Sequence, residues 1–144
     1  GEAVVAGGYW RREPGPAAPL AVAYTGVMAP EAEAAVAALA EHNPDIGLLS
    51  VTSADRLYAA WQAARGGPCH VDRLLSALPA GAALVTVLDG HPAALSWLGG
   101  VRGHRMASLG VADFGQCGDT IDLYRHYGID AQAIRDAAAR LGAM

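Results

Sequence analysis

Between Leu20 and Leu109, short continuous apolar runs alternate with longer stretches in which apolar residues recur every three or four positions. Ile46–Val51 has the character of a strand covered on both faces, Ala83–Leu88 is the clearest buried strand, Leu20–Tyr24 is a strand candidate, and Met106–Leu109 is the last and weakest strand. The stretches between them read as helices. Pro30 suits a first helical position, where its missing N–H is not needed. Behind it Glu31 and Glu33 favour the positive end of the helix dipole, and Ala32, Ala35, Val36, Leu39 and Ala40 form one stripe. Thr52 with Asp55 fits a capping box, opening a helix with Leu57, Ala60, Trp61 and Ala64 on its buried side and a break at Gly66-Gly67-Pro68. A short helix follows with Val71, Leu74, Leu75 and Leu78. After Asp89-Gly90-His91-Pro92 comes another with Leu95, Leu98 and Val101. The loop from Gly110 to Gly118 leads to a helix that Asp119 caps and Gly128 ends. The final helix, capped by Asp130, carries Ala133, Ile134, Ala137, Ala138 and Leu141.

Ahead of this series, Ala3-Val4-Val5-Ala6 reads as a first strand, followed by Tyr9-Trp10-Arg11-Arg12 and a breaker-rich loop, Glu13 to Pro19. That link is too short for a crossover helix, since a parallel connection needs about a dozen residues. The first strand is therefore expected to be antiparallel or at an edge. Strands alternating with helices predict an α/β domain with a mostly parallel sheet and helices on both faces.

At 144 residues and 14.7 kDa the chain suffices for one domain, and 53% hydrophobic residues, many of them alanine, exclude intrinsic disorder. A net charge of −4 without a basic block argues against nucleic acid or an anionic membrane as partner. All ten basic residues are arginine, which excludes Schiff-base and P-loop lysine chemistry. Cys69 and Cys117 are too few and too far apart for a disulfide framework or a zinc site, so a reduced, cytoplasmic setting is expected. There is no membrane-length apolar run and no signal peptide pattern. The chain opens at Gly1 without methionine, which reads as a piece of a longer polypeptide or a trimmed product.

In open parallel sheets ligands lie beyond the carboxyl ends of the strands. Two loops expected there concentrate functional side chains: Asp89 and His91 in one, Asp113, Gln116 and Cys117 in the other. Two carboxylates and an imidazole at one edge suit acid–base work. The competing reading is structural: Asp-Gly is a turn pair, Asp89 or His91 can cap the helix that Pro92 starts, and Asp113 and Gln116 can brace their own loop. The other histidines carry less. His42 ends a helix, His70 beside Cys69 is no metal site, and His126 lies partly exposed on a helix. Arg102-Gly103-His104-Arg105 suits a solvated turn or a carboxylate. Trp10, Trp61 and Trp97 fit core or interface better than a stacking platform. No G-x-G-x-x-G, Walker or G-x-S-x-G motif occurs.

Several segments together resemble a known family. Thr25-Gly26-Val27-Met28-Ala29-Pro30-Glu31-Ala32 after a strand resembles the first βα unit of the C-terminal domain of transketolase-like, thiamine diphosphate-dependent enzymes. Leu84 to Pro92, then Leu95, Trp97-Leu98-Gly99 and Val101, resemble the branch containing the homodimeric pyruvate dehydrogenase decarboxylating component. So do Ser108-Leu109-Gly110-Val111 with Asp113 to Asp119, and Leu123-Tyr124-Arg125, Tyr127 to Asp130 and Ile134. Cys117 departs from the serine usual in these relatives.

The resemblance implies a three-layer α/β/α domain over residues 1–144, with a mixed, mostly parallel five-stranded sheet whose first strand is antiparallel. It implies no catalytic, cofactor or metal residues within this chain, because thiamine diphosphate and magnesium sit in upstream domains of the parent enzyme. Asp89, His91, Asp113, Phe114 and Gln116 then become candidate interface or active-site rim residues. Phe114, the only phenylalanine, is expected to be exposed or covered by a neighbouring copy. The implied partners are the upstream domains, a second copy in a homodimer and other subunits of a 2-oxo acid dehydrogenase complex, with neither nucleic acid nor membrane. The implied role is a non-catalytic assembly domain. The alternatives are the same domain of a ketol-transferring transketolase, or a free-standing small-molecule-binding α/β module.

Overall fold

The computed structural model describes residues 1–112 and 120–143. The described residues form five strands, β1 (Gly8–Arg12), β2 (Leu20–Thr25), β3 (Gly47–Val51), β4 (Ala83–Val87) and β5 (Arg105–Leu109), in one sheet of order β1-β3-β2-β4-β5. β1 runs antiparallel to β3, and every other pairing is parallel. The three inner strands are buried on both faces, as their unbroken apolar runs require. One face is covered by α2 (Ala29–Ala40), α7 (Thr120–Tyr127) and α8 (Ala131–Arg140). The other is covered by α3 (Ala54–Ala64), α4 (His70–Leu75), α5 (Ala93–Ser96) and α6 (Gly99–Arg102). The result is the expected three-layer α/β/α fold.

The first element departs from the sequence reading. Residues Glu2–Ala6 form a helix, α1, and the edge strand begins two residues after it. Five residues are too few for periodicity to separate helix from strand. What decides is Gly7, at φ 117°, whose N–H donates to the carbonyls of Ala3 and Val4 and closes the helix. A Cβ on Gly7 would lie 2.7 Å from Leu57 Cγ and 2.8 Å from the Ser53 carbonyl oxygen, so only glycine lets this turn meet α3. The strand then places Trp10 inward, its indole N–H donating to the Leu74 carbonyl at 2.9 Å, while Arg11 and Arg12 stay exposed along the edge.

Smaller shifts have similar local causes. The cap of α3 is Ser53, whose Oγ accepts from the Arg56 N–H at 3.2 Å, while Thr52 instead donates to the Val4 carbonyl at 2.5 Å and holds α1. Within α3 only Leu57 is fully buried; Ala60 is exposed, and Trp61 and Ala64 are half-buried. The single helix expected after Pro92 is two short ones, with Leu95 and Leu98 buried between them. At the opposite layer, Asp130 caps α8 through the Ala133 N–H, and Glu31 of α2 accepts from the Ala131 N–H at 2.7 Å. One carboxylate thus serves the positive ends of two helices that lie side by side.

In the Arg102–Arg105 segment all but His104 are exposed, and the cluster does meet a carboxylate. Arg102 pairs with Asp72 at 2.9 Å, and Arg105 donates to the Leu141 and Gly81 carbonyls. His104 is buried, with Nδ1 2.9 Å from the Ala82 carbonyl, so this nitrogen carries the proton and donates. Cys69 is buried and unpaired among the described residues. Among the same residues, no helix is long and apolar enough to cross a membrane.

Candidate functional site

The carboxyl ends of β2, β3, β4 and β5 share one edge of the sheet, and antiparallel β1 begins there, so α1 belongs to this edge as well. Loops after β3 and β4 leave toward α3 and α5 on one face; the chain after β2 leaves toward α2 on the other. Diverging loops leave an opening between them in sheets of this kind. Between β4 and β5 that opening is closed by backbone. Val111 N–H donates to the Gly90 carbonyl at 2.7 Å, and Leu88 N–H donates to Leu109 at 3.2 Å. A Cβ on Gly110 would fall 2.5 Å from the Gly90 oxygen and 2.8 Å from Pro92 N, so this contact needs glycine at 110.

The contact brings together the two loops that the sequence singled out. Asp89 and His91 are both exposed. Asp89 makes no hydrogen bond or ion pair among the described residues. His91 Nδ1 accepts from the Ala93 N–H at 3.1 Å, which caps the start of α5 and puts the neutral ring's proton on Nε2. His91 is thus a cap that stays exposed at the carboxyl edge. Asp113, Phe114 and Gln116 lie outside the described residues, as does the expectation that Phe114 is exposed.

A cleft of about 290 Å³ beside these loops was not anticipated. It is lined by Ala54, Asp55 and Tyr58 of α3 and by Ala93, Ala94 and Trp97 around α5. Tyr58 meets Trp97 edge-on at 5.2 Å between ring centroids, and Trp97 stacks on Trp61 at 5.2 Å and 24°. The Trp97 indole N–H donates to the Ala94 carbonyl, which fixes the ring. The signal in the sequence is the i, i+3 spacing of Tyr58 and Trp61, which puts both on one side of a helix. The partner ring, Trp97, comes from the next crossover.

The edge is also where exposed apolar side chains gather. Val4 and Val5 on α1, Val27 after β2 and Tyr58 near the start of α3 are 44%, 63%, 57% and 43% exposed. Ile121 opens the helix that follows the loop leaving β5, and it is exposed too. Exposed apolar residues scattered singly are ordinary, and these stand toward one end of the domain.

As for cofactor chemistry, no three His, Cys, Asp or Glu side chains among the described residues come together to hold a metal ion. Asp89 and His91 alone do not make a site for magnesium diphosphate, and no catalytic step is derived through that group.

No protein-family model matches the sequence, and no curated protein does. By shape the chain is similar to transketolase from Leishmania mexicana, over 97% of this chain and 18% of that one, with 21% identity and a TM-score of 0.70. It is also similar to the H261F mutant of transketolase from Pichia stipitis, over 99% and 19% of the two chains, at 18% identity and TM-score 0.71. A split-gene transketolase, in an inactive beta4 tetramer, matches over 94% of this chain and 42% of its own, at 16% identity and TM-score 0.65. The chain spans about a fifth of the length of the first two. At these identities the likeness is one of fold: this is the α/β fold of the transketolase C-terminal region.

Proposed function

We propose that this domain is the non-catalytic C-terminal assembly domain of a thiamine diphosphate-dependent 2-oxo acid dehydrogenase decarboxylating component, acting on pyruvate. The observation that carries the reading is the carboxyl edge. The Asp89–Pro92 loop and Gly110-Val111, which carry the resemblance to the pyruvate dehydrogenase branch, lock together there by backbone contact. Around them stand the exposed apolar residues that an adjoining domain would cover. In this reading the cofactor and magnesium are held by upstream domains, and Asp89 and His91 form part of the rim that faces them. The second copy of a homodimer covers the remaining apolar surface.

The ketol-transferring alternative shares the fold and the edge. The two separate on the activity of the polypeptide that carries this domain. Release of carbon dioxide from pyruvate, with thiamine diphosphate and Mg²⁺ supplied, supports the dehydrogenase reading. Transfer of a two-carbon ketol unit between sugar phosphates, without decarboxylation of pyruvate, rejects it in favour of a transketolase.

A further inference from the structure

On the α3–α4 layer, reaching α1 beside the edge strand, lies an open depression of about 640 Å³. Its walls are small and apolar, with Ala60, Ala63 and Ala64 along α3, and its basic side chains are Arg56, His70 and Arg73. No carboxylate lines it. In a chain of net charge −4 this is a local reversal of sign.

The basic groups are partly positioned already. Arg56 Nη1 donates to the Val5 carbonyl at 3.0 Å. His70 Nε2 lies 2.7 Å from the Gly8 carbonyl, which only accepts, so this nitrogen carries the proton and fixes the ring. Arg73 is exposed and has no carboxylate partner among the described residues, because its neighbour Asp72 is engaged by Arg102. Guanidinium groups match phosphate oxygens in geometry as well as charge. Two of them suit a dianion better than a single carboxylate. The alanine walls leave room for a body attached to that group.

We propose that this depression binds a small phosphate monoester, held by Arg56 and Arg73. Titration of the ¹⁵N-labelled chain with phenyl phosphate, followed by amide spectra, tests it. Saturable shifts are expected at His70, Ala63 and Ala64, with phenol producing none. Arg73→Gln, which leaves the Arg56 anchor on α1 in place, should weaken binding by about tenfold or more, as loss of a charge-assisted contact does. Arg135→Gln, which removes an exposed arginine of α8 in the opposite layer, should leave it unchanged. Inorganic phosphate should compete. Three results would each overturn the proposal: no saturable shift, equal shifts with phenol, or an Arg73→Gln variant with a native-like spectrum and undiminished affinity. Equal weakening by Arg135→Gln would reduce the effect to diffuse charge and overturn it as well.

Discussion

Thr86 and His91 show how far single side chains in this domain are set by position. Thr86 sits in the middle of β4 with no exposure, and its hydroxyl has no hydrogen-bond partner. A buried, unpaired hydroxyl costs stability, and valine fills the same volume without it. Thr86→Val should therefore raise stability by about 1 kcal/mol, read as a higher urea midpoint with an unchanged slope. A lower midpoint would mean that the hydroxyl has a partner after all. His91 is the opposite case, exposed and bonded to the Ala93 N–H. Removing one cap acceptor at an exposed site should cost the chain less than about 1 kcal/mol. On the proposed assembly role, His91→Ala should lower the activity or weaken the dimer of the polypeptide that carries this domain. If the chain unfolds while the parent's kinetics stay intact, the imidazole is a helix cap and nothing more. Neither distinction was available from residue types, because an Asp-Gly-His-Pro turn reads equally well as a cap and as a site.

At the scale of elements, α2 and α8 are joined through alanine. Ala32 and Ala35 of α2, with Ala137 and Ala138 and Ile134 of α8, are fully buried in one cluster. Small residues on facing sides let two helices lie close, and the shared Glu31 carboxylate fixes their starts at the same end. Such a seam has no room for a larger side chain. Ala137→Leu should cost about 1–3 kcal/mol through overpacking, whereas Ala139→Leu, on the exposed side of the same helix, should stay within about 0.5 kcal/mol. Thermal unfolding of the two variants side by side provides the check, and equal losses would mean that α8 is not docked through this face. The stripe on α8 was legible as Ala133, Ile134, Ala137, Ala138 and Leu141, since a long helix repeats its period several times. The end of α3 was less legible. Its apolar positions suit a buried stripe, yet Ala60 lies open, because it faces the depression beside α4 and not the sheet.

For the molecule as a whole, the carboxyl edge gathers the exposed valines and Tyr58, the aromatic cleft and the joined β4 and β5 loops. An assembly domain that leaves cofactor binding to other domains should not take up the cofactor alone. Calorimetric titration of this chain with thiamine diphosphate and Mg²⁺ at millimolar concentration is expected to give no saturable heat; saturable binding would defeat the assembly reading. Thiamine diphosphate is itself a phosphoester, so this titration is made on the Arg73→Gln chain, in which the phosphate monoester site on the α3–α4 layer is disabled.

The sequence by itself determined helices on both faces, the four parallel strands and a first strand that is antiparallel or at an edge, although it put that strand at Ala3–Ala6 instead of Gly8–Arg12. Continuous apolar runs admit few structures other than doubly covered strands, and a short link cannot carry a crossover. It also determined the caps at Asp130 and the stripes of the longer helices, where a period repeats often enough to be read. The tertiary structure alone decided what depends on contact between distant segments. Glu2–Ala6 became a helix because Gly7 must turn against Leu57 and Ser53. His104 went inside because Ala82 offers its carbonyl there. Arg56, His70 and Arg73 came to share one depression because α3 and α4 pack beside the start of β1. Local pattern records what each segment buries, while the company a polar side chain keeps is settled by which segments fold against it.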